Sequence, residues 1–462
     1  MVAECDRITP GAGPDKGVEQ MKITVIGTGY VGLVSGICYA ELGHDVYCVD
    51  KDAAKINTLQ SGGIPIYEPG LQRLSLKNMD AGRLRFTTAL AEAMPEADIV
   101  IMAVGTPSLP SGEADMSYIE AAASEVGAAM NGYKVICVKS TVPVGTNERV
   151  GRIVRERYDG PFDTASLPEF LREGTAVRDT LHPDRIVIGT DGSRAARILS
   201  DLHRPLTNQI VLTDIRSAEM IKYASNAFLA TKISFINEIA NICEKVGADV
   251  IEVAKGMGLD NRIGGSFLRA GIGYGGSCFP KDTKALIQIA GNVEYDFKLL
   301  KSVVEVNKQQ RFGVLDKLGK ALGDVRGTTV GVWGLAFKPE TDDVREAPAL
   351  EIIEQLIESD ATVKVYDPIA MANFKRTFDH PRIVWCDSAL DTAQDSDALC
   401  LLTEWKEFAA IDLGAVRAAL ARPILIDGRN VYDVQRVREA GLHYYPVGRP
   451  GHEAYIPELI LD

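Results

Sequence analysis

The sequence predicts an α/β protein in which a central helical region with one long helix joins two doubly wound parallel-sheet domains. Strand-like and helix-like segments alternate from Met21 to about residue 213 and again from about residue 328. Such alternation is typical of parallel sheets covered by helices on both faces. Between these stretches the strand pattern fades and helical patterning dominates.

The composition is that of an ordinary globular enzyme, with 462 residues, 46% hydrophobic and 24% charged. A net charge of −13 argues against nucleic acid or an anionic membrane as the main partner. No apolar run approaches the roughly 20 residues that a membrane span needs. Residues 1–20 lack the apolar core of a signal peptide and are expected to form a flexible extension. We therefore expect a cytoplasmic protein.

The spacing of the cysteines and histidines indicates reduced thiols and gives no sign of a metal site. Eight cysteines lie far apart without a CxxC pair, which predicts reduced and mostly buried thiols. The six histidines show no paired-ligand spacing, so no metal is expected.

The predicted elements follow in chain order. The first stretch contains the strand Lys22–Ile26, the helix Tyr30–Leu42, and the strands Asp45–Val49, Asp98–Val104 and Lys134–Val138. The middle region contains one long helix, Asp214–Val246, which ends near Gly247. The last stretch contains the strand Thr328–Trp333, the helix Ala349–Ser359, and the strands Thr362–Tyr366, Asp397–Thr403 and Pro423–Asp427. A duplicated fold is therefore plausible, although no sequence repeat is evident.

The first motif is the GTGYVG segment between the first strand and the first helix. Gly27 permits a tight turn, Gly29 lets the backbone approach a pyrophosphate, and Gly32 allows close packing of helix on strand. Asp50 ends the next strand, where a carboxylate would bind ribose hydroxyls and repel a 2′-phosphate. This context predicts a Rossmann-like NAD site. A glycine turn without a cofactor is the alternative.

Two further turns follow predicted strands, Gly105-Thr106-Pro107 and Ser140-Thr141-Val142-Pro143. The carboxyl ends of parallel strands lie at the edge of the sheet where ligands bind. We expect both turns at that edge.

The segment Gly273–Asp282 (GYGGSCFPKD) places Cys278 after a glycine-rich loop and before a helix that is expected to run to about Ala290. A thiol beside a helix N-terminus and near Lys281 should have a lowered pKa and act as a nucleophile. A small buried cysteine is an equally open interpretation of the loop alone.

Other candidates are weaker when each is taken alone. Lys222 and Asn226 lie at positions i and i+4 of the long helix, where a solvated stripe is the plainer interpretation. Glu169 and Glu173 have the same spacing, and one of them could be a general base, although paired surface glutamates are common. Anion-binding candidates in the last stretch are Lys338, Arg345 and Arg429.

Taken together, the ordered motifs GTGYVG, VGTP, STVPVGT, PEFLREG, KYASNAFLATKISFINE, GYGGSCFPKD, GLAFKP with TDDVRE, and DGRN resemble the UDP-glucose/GDP-mannose dehydrogenase family of nucleotide-sugar dehydrogenases. The resemblance runs from Met21 to about Val431. One departure is Leu167, which stands where relatives often carry a polar residue such as Asn.

The resemblance implies four parts: an extension 1–20, an NAD-binding Rossmann domain 21–213, a central helical dimerisation domain 214–315, and a UDP-sugar-binding Rossmann-like domain 316–462. It implies oxidation of the C6 alcohol of UDP-glucose to the carboxylate of UDP-glucuronate, with NAD as cofactor. The substrate is then a small molecule, and the protein a homodimer or a higher oligomer built on dimers.

The resemblance also implies roles for individual residues. Cys278 would form a thiohemiacetal and then a thioester, Lys222 would stabilise the oxyanion, and Glu169 would be the acid/base of hydrolysis. Asn226, Asp282 and Thr141 would position water and the reacting oxygen. Cofactor contacts would be made by Gly27, Gly29, Tyr30, Val31, Gly32, Asp50, Lys55, Gly105, Thr106, Thr141, Glu173, Lys281 and Arg345. Substrate contacts would be made by Glu169, Phe170, Leu171, Glu173, Lys222, Asn226, Phe267, Gly271, Gly275, Phe337, Lys338 and Arg429, with Arg262 reaching the substrate from the neighbouring subunit.

Three alternatives stay open at this point. The substrate could be GDP-mannose or UDP-N-acetylmannosamine, although the tail of the cysteine motif resembles the UDP-glucose branch better. A one-step β-hydroxyacid dehydrogenase would use lysine for proton transfer and leave Cys278 incidental. A non-catalytic NAD-dependent scaffold or sensor would not need the ordered catalytic motifs.

Overall fold

The computed structural model describes residues 20–107, 109 and 112–451. The chain forms two compact units that divide between Lys222 and Tyr223, with residues 112 and 113 belonging to the second. Apart from Gln20, the predicted N-terminal extension lies outside the described residues. In the part of the chain that the structure covers, no helix is both long and apolar enough to cross a membrane.

Among its described residues, the first unit contains eight strands and eight complete helices. The strands are β1 (Lys22–Ile26), β2 (Asp45–Val49), β3 (Leu84–Thr87), β4 (Ile99–Met102), β5 (Val135–Val138), β6 (Asp163–Ser166), β7 (Ile186–Gly189) and β8 (Ile210–Thr213). The helices are α1 (Tyr30–Glu41), α2 (Ala53–Gln60), α3 (Leu71–Asp80), α4 (Leu90–Ala93), α5 (Ser117–Ala129), α6 (Thr146–Arg155), α7 (Ala176–Leu181) and α8 (Ser193–His203). The long helix α9 (Ile215–Val246) begins in this unit and continues in the second.

The first sheet has the strand order β3-β2-β1-β4-β5-β6-β7-β8, and all neighbours are parallel except β6 and β7. Every residue of β4 and β5 is buried, because helices cover both faces of a parallel sheet. Helix α1 is buried from Gly32 to Ala40, which explains why its sequence is apolar on all sides. The first six strands follow the order of a dinucleotide-binding fold, so the sheet switches direction between β1 and β4.

The second unit contains the rest of α9 and a six-stranded sheet. Its further helices are α10 (Val250–Gly258), α11 (Phe279–Asn292), α12 (Lys298–Gln310), α13 (Gly313–Leu322), α14 (Pro348–Glu358), α15 (Met371–Thr377), α16 (Ala389–Ala393), α17 (Lys406–Ala410), α18 (Leu413–Ala419) and α19 (Val434–Glu439). Its strands are β9 (Thr329–Trp333), β10 (Thr362–Tyr366), β11 (Ile383–Trp385), β12 (Ala398–Leu401), β13 (Ile424–Asp427) and β14 (His443–Pro446).

The second sheet has the order β11-β10-β9-β12-β13-β14, which repeats the order of the first six strands of the first sheet. All its neighbouring strands are parallel. The α/β fold class with two doubly wound sheets and one long central helix is therefore confirmed, and so is the fold duplication.

Asp367 ends β10 as Asp50 ends β2, but its environment differs. Its carboxylate is buried and accepts hydrogen bonds from the backbone N–H groups of Leu335, Ala336, Ile369 and Ala370 and from the indole of Trp405. These five donors occupy the oxygens that a ribose would need. The second sheet therefore keeps the strand order of a dinucleotide-binding domain without its ribose-binding acid.

The helix after Pro280 ends at Asn292, two residues past the predicted end at about Ala290, and Val293 is its C-cap. One local prediction was wrong. Residues 167–173 form no helix, so Glu169 and Glu173 do not share a helix face as their spacing suggested. The Glu169 side chain instead accepts the N–H of Leu171 at 2.8 Å, which favours a local turn over a helix.

Candidate active site

The glycines of the first loop have different steric surroundings. Gly27 has φ +98°, and a Cβ there would lie 2.6 Å from the carbonyl oxygen of Ala103. A Cβ on Gly32 would lie 2.0 Å from the carbonyl oxygen of Gly27, so α1 approaches the loop as closely as backbone permits. At Gly29, the N-cap residue of α1, no atom of the described residues lies within 4 Å of an added Cβ. A pyrophosphate can therefore approach the helix N-terminus at Gly29.

Asp50 lies beside this loop and is half-buried. Its Oδ2 accepts the backbone N–H and the hydroxyl of Thr28, both at 2.7 Å, and its Oδ1 accepts the N–H of Asp52 at 3.0 Å. Burial opposes ionisation of Asp50, but the hydrogen bonds from Asp52 and Thr28 outweigh it and hold the pKa below its usual value. The carboxylate is thus ionised, braced against the glycine loop, and partly open to a ribose. These residues fit an NAD molecule.

Glu68 connects Tyr30, the first residue of α1, to the segment that follows Glu173. Its buried carboxylate accepts the hydroxyl of Tyr30, the N–H of Gly174 at 2.7 Å and the N–H of Val177 at 3.3 Å. The Tyr30 hydroxyl also accepts the N–H of Gly174 at 2.9 Å. No sequence motif pointed to Glu68, because its partners Tyr30, Gly174 and Val177 lie far from it along the chain.

The two predicted turns meet at the carboxyl ends of β4 and β5. The Thr106 hydroxyl donates to the carbonyl of Thr141 at 3.0 Å, and the Ser140 hydroxyl donates to the carbonyl of Val104 at 2.7 Å. Gly105 and Thr106 therefore lie beside Thr141, as the topology predicted.

Lys222 and Glu169 form a buried ion pair in the first unit. Lys222 Nζ lies 2.8 Å from Glu169 Oε1, and the two side chains are 5% and 6% exposed. Lys222 Nζ also lies 5.6 Å from the ring centroid of Phe170, over which the guanidinium of Arg185 lies at 3.6 Å. The solvated stripe that was the plainer interpretation of Lys222 is therefore wrong.

Lys139, at the end of β5, is a buried lysine that sequence reasoning missed. Burial lowers its pKa to about 8, although the negative charge of Glu169 works in the opposite direction. The charge of Lys222 lowers it further, so two ammonium groups and one carboxylate share this part of the first unit.

In the second unit, Asp282 binds two polar side chains. Its Oδ2 accepts the Asn226 amide at 2.6 Å, and its Oδ1 accepts Lys281 Nζ at 2.7 Å. Asp282 is 1% exposed and Asn226 6% exposed, so the stripe interpretation is also wrong at Asn226.

Cys278 is the N-cap residue of α11 and is exposed. Its Sγ lies 3.6 Å from the Ser277 hydroxyl. Among the other described cysteines, Cys386 is half-buried, and Cys38, Cys48, Cys137, Cys243 and Cys400 are buried. Burial raises the pKa of Cys48 and of Cys137 to about 12, which makes them poor nucleophiles. Cys278 alone of the described thiols is both exposed and at a helix N-terminus, and the open alternative of a small buried cysteine is wrong here. Cys5 lies outside the described residues.

The loop before Cys278 packs backbone against backbone. A Cβ on Gly275 would lie 2.2 Å from the carbonyl oxygen of Glu346, and one on Gly276 would lie 2.7 Å from the Phe337 ring. The Arg429 guanidinium donates to the carbonyls of Gly273 at 2.9 Å and Phe337 at 3.4 Å. The structure thus brings the thiol loop, the GLAFKP turn and Arg429 together.

The remaining predicted residues of the second unit lie around this loop or apart from it. Arg345 makes a bidentate ion pair with Asp343 at 2.8 and 2.7 Å, and the Gly271 N–H donates to Asn237 at 2.9 Å.

Three further predicted residues of the second unit lie near an aromatic ring or in a local ion pair. Phe267 has φ +64°, and its ring centroid lies 6.2 Å from that of Phe279. Lys338 Nζ lies 5.2 Å from the Phe337 ring centroid. The Arg262 side chain is 89% exposed and pairs only locally with Asp260 at 2.6 Å.

Three other residues that were predicted to contact the cofactor lie in the first unit. Lys55 lies on α2 with Nζ 4.0 Å from Asp52, Val31 is half-buried at the start of α1, and Glu173 is buried. Across the described part of the chain, no cluster of three or more His, Cys, Asp or Glu residues is arranged to hold a metal ion.

Comparison with known protein families gives three matches in chain order. Residues 21–207 match the NAD-binding domain of the UDP-glucose/GDP-mannose dehydrogenase family, residues 216–309 match its central domain, and residues 331–434 match its UDP-binding domain.

Individual relatives are similar over nearly the whole chain. The chain is 51% identical to a UDP-glucose 6-dehydrogenase of Bacillus subtilis, with 96% of this chain and 97% of the relative covered. It is 49% identical to a UDP-glucose 6-dehydrogenase of Rhizobium meliloti, with 93% and 100% covered. A solved UDP-glucose dehydrogenase of Pyrobaculum islandicum superposes with a TM-score of 0.88 at 38% identity, over 94% of this chain and 99% of that one.

Proposed function

Because this chain belongs to the UDP-glucose/GDP-mannose dehydrogenase family, we propose that it oxidises UDP-glucose to UDP-glucuronate with two molecules of NAD and a covalent intermediate on Cys278. It is an NAD-dependent dehydrogenase. The observation that carries the covalent mechanism is the exposed Cys278 thiol at the N-terminus of the 14-residue helix α11. Preference for UDP-glucose over GDP-mannose is supported by relatives of about 50% identity that act on UDP-glucose.

The chemistry explains why a thiol is needed. A primary alcohol loses two hydrides on the way to an acid, and a free aldehyde between the two steps would escape. Bound NAD supplies the hydride acceptor for each step. Addition of the Cys278 thiolate to the aldehyde gives a thiohemiacetal, whose carbon loses the second hydride to become a thioester. Water then breaks the C–S bond, which releases the carboxylate and returns the sulfur as thiol.

Lys222 and Glu169 fit complementary parts of this sequence. A buried ammonium stabilises the oxyanion of the alkoxide and of the tetrahedral adduct. Glu169, paired with Lys222 at 2.8 Å, is the general base that takes a proton from the hydrolytic water. Asn226 and Asp282, joined at 2.6 Å, hold water and the reacting oxygen, and Thr141 contributes from the turn after β5.

Asp50 accounts for the choice of NAD. Its pKa is held low by hydrogen bonds from Asp52 and Thr28, although burial acts against them, so the carboxylate is ionised at neutral pH. It accepts hydrogen bonds from ribose hydroxyls and repels a 2′-phosphate. The other proposed cofactor contacts are Gly27, Gly29, Tyr30, Val31, Gly32, Lys55, Gly105, Thr106, Thr141, Glu173, Lys281 and Arg345.

The UDP moiety is assigned to the GLAFKP turn and to Arg429. The Arg429 guanidinium uses three N–H groups on the carbonyls of Leu402, Gly273 and Phe337, and a guanidinium has five. The remaining two donors suit a diphosphate, with Lys338 as a second cation. The other proposed substrate contacts are Glu169, Phe170, Leu171, Glu173, Lys222, Asn226, Phe267, Gly271, Gly275 and Phe337.

The working assembly is a homodimer. Phe228, Phe235 and Ile242 recur at heptad spacing on α9 and are 66%, 49% and 54% exposed. Val246 adds to the same helix with 63% exposure. A second copy of this chain covers such an apolar face, and the exposed Arg262 then reaches the partner's substrate. The proposal includes the four-part domain division and a cytoplasmic location, which fits the absence of a disulfide among the described cysteines.

A stoichiometry assay tests the function. Purified protein receives limiting UDP-glucose and excess NAD, and NADH is counted at the end point. We expect two NADH for each sugar. One NADH would favour the one-step hydroxyacid class, and turnover only with GDP-mannose or UDP-N-acetylmannosamine would move the substrate.

The Cys278→Ser variant tests the thiol in the same assay. A serine hydroxyl is a much weaker nucleophile than a thiolate at neutral pH, so the acid-forming half should be lost. The control is Cys386→Ser, which removes a half-buried thiol of the same unit and should keep wild-type stoichiometry.

A further inference from the structure

We propose that Asn307 and Arg311 are positioning residues that hold the Cys278 loop and link it to the Arg345–Ala347 segment. The inference rests on the proposed covalent function of Cys278. Both residues belong to the end of α12, Arg311 as its C-cap, and both are 4% exposed. Neither lies in a motif that the sequence singled out.

Asn307 binds both backbone polar groups of one loop residue. Its Oδ1 accepts the N–H of Tyr274 at 2.8 Å, and its Nδ2 donates to the carbonyl of Tyr274 at 3.0 Å. Gly273, with φ +89°, fits only because it lacks a side chain, since its Cβ would lie 2.7 Å from Asn307 Oδ1. The Asn307 amide therefore pairs with the Tyr274 backbone as a neighbouring β-strand would. This pairing fixes the position of the loop four residues before Cys278.

Arg311 joins the loop to a second backbone segment. Its Nη2 donates to the carbonyls of Tyr274 at 3.2 Å and Glu346 at 3.3 Å, while its Nη1 donates to Glu351 at 2.5 Å. A guanidinium and a carboxylate usually pair through two parallel hydrogen bonds. Here Arg311 Nε and Glu351 Oε2 are buried without a hydrogen-bond partner among the described residues. The arginine is thus oriented for the two carbonyls at the expense of a complete ion pair, which indicates that the bridge itself matters.

The bridged segment carries a proposed cofactor contact. The Gly276 N–H donates to the carbonyl of Arg345 at 2.9 Å, and Gly275 lies against Glu346 so closely that no Cβ fits. Glu346 itself has φ +52°, a conformation that the surrounding contacts must maintain. If NAD binding moves the Arg345 backbone, as the proposed cofactor contact implies, the hydrogen bond to Gly276 would pass that movement to a residue two positions from Cys278. Asn307 and Arg311, together called the clamp, hold the loop in the starting position that this movement would change.

The test uses full-length enzyme with Arg311→Lys and Asn307→Ser, and the exposed Lys308→Gln on the same helix as control. A lysine keeps the charge of Arg311 but cannot bridge two carbonyls and Glu351 in a fixed plane. Thermal unfolding first establishes the folded fraction. The readouts are the rate of iodoacetamide alkylation of Cys278 against pH, with and without NAD, and the kinetic constants for UDP-glucose and NAD.

We expect kcat to fall by about 10- to 100-fold in both clamp variants, because small misplacements of a reacting atom have effects of that size. KM values should change less than kcat, since neither Asn307 nor Arg311 is itself among the proposed ligand contacts. The pH midpoint of alkylation should shift, and NAD should no longer change the alkylation rate. Lys308→Gln should match the wild type.

Alkylation profiles and kcat like the wild type in a folded clamp variant would overturn the proposal. So would a loss of activity that only follows the folded fraction, with unchanged alkylation per folded molecule. If Arg311→Lys does not fold, the milder Asn307→Ser decides the question alone. Failure of the proposed function is seen separately, because wild-type enzyme would then turn over after Cys278 is fully alkylated.

Discussion

The Nζ of Lys222, on the long helix, lies 2.8 Å from Oε1 of Glu169, in an irregular segment, and water reaches almost none of either side chain. A buried pair of this kind is expensive to form and more expensive to break, because removing one partner leaves a desolvated charge. The pair thus combines two proposed catalytic groups in one electrostatic unit, so their effects on stability and on catalysis have to be measured apart.

The Lys222→Met variant should be less stable than the wild type by about 3–5 kcal/mol, because it leaves the Glu169 carboxylate buried and unpaired. The Lys222→Met/Glu169→Met double variant should recover most of this loss and remain inactive. Denaturant unfolding and turnover measured on the same samples check both statements. A single variant of wild-type stability would show that the pair is not buried in solution, and an active double variant would remove both residues from the mechanism.

The Asp50→Asn variant should bind NAD about 10- to 100-fold more weakly, because hydrogen bonds to a charged group contribute about 1.5–3 kcal/mol. Its preference for NAD over NADP should shrink as well, since the repulsion of the 2′-phosphate is gone. Titration of both cofactors by fluorescence gives the affinities. The control is Asp52→Asn, which alters the N-cap of α2 two residues away. Unchanged NAD affinity in Asp50→Asn would contradict the assignment of the fingerprint.

The stability of the protein should fall with acidification through His203. This imidazole is 1% exposed, its Nδ1–H donates to the carbonyl of Leu199 at 2.7 Å, and its Nε2 accepts the hydroxyl of Tyr39 at 3.0 Å. Burial lowers its pKa from 6.5 to about 3, despite the opposing hydrogen bond to Leu199. The unfolded chain therefore binds a proton that the folded chain does not, and stability is lost as the pH falls from 6.5 towards 3.

The size of this effect is about 1.4 kcal/mol for each pH unit within that window. In His203→Gln, which keeps a neutral polar side chain, the free energy of unfolding should fall less steeply with acidification by about that amount. Denaturant titrations at several pH values between 4 and 7 provide the slopes. Parallel slopes in the two proteins would mean that His203 is protonated in the folded state.

The dimer proposal makes a prediction that mixing can test. Arg262→Ala and Cys278→Ser should each be inactive alone. Co-expressed, they should regain activity, because one site of the mixed dimer receives an intact thiol from its own chain and an intact arginine from the other. Absence of any recovery would place Arg262 in its own subunit's site, and an active Arg262→Ala protein would place it outside the mechanism. Phe235 lies at the centre of the exposed apolar face formed by Phe228, Phe235 and Ile242. A Phe235→Glu variant should therefore be monomeric when its mass is measured by light scattering.

The sequence predicted what depends on neighbours along the chain. Gly27, Gly29 and Gly32 have the turn, the open approach and the close packing that their spacing indicates, and Pro280 marks the first turn of α11. It could not predict pairs that form only when distant segments meet. Glu68 binds Gly174 from 106 positions away, and Asn307, on α12, binds Tyr274 in the loop before Cys278.

Local spacing also misled where tertiary contacts decide. Glu169 and Glu173 suggested a helix face, but Lys222 draws the first carboxylate into a buried pair in an irregular segment. Lys222 is buried in this pair with Glu169, and Asn226 is buried in its own hydrogen bond to Asp282, although their helical spacing is typical of a solvated stripe.

The most direct measurement of the covalent mechanism is mass spectrometry of a Glu169→Gln enzyme. A glutamine keeps an acceptor for Lys222 but cannot take a proton from water, so hydrolysis should slow by about 10²- to 10⁴-fold while both hydride transfers proceed. Mixed with UDP-glucose and NAD and then quenched in acid, the variant should show one UDP-glucuronyl group on the peptide that contains Cys278. An unmodified Cys278 peptide in a sample that has produced two NADH per active site would contradict the thioester.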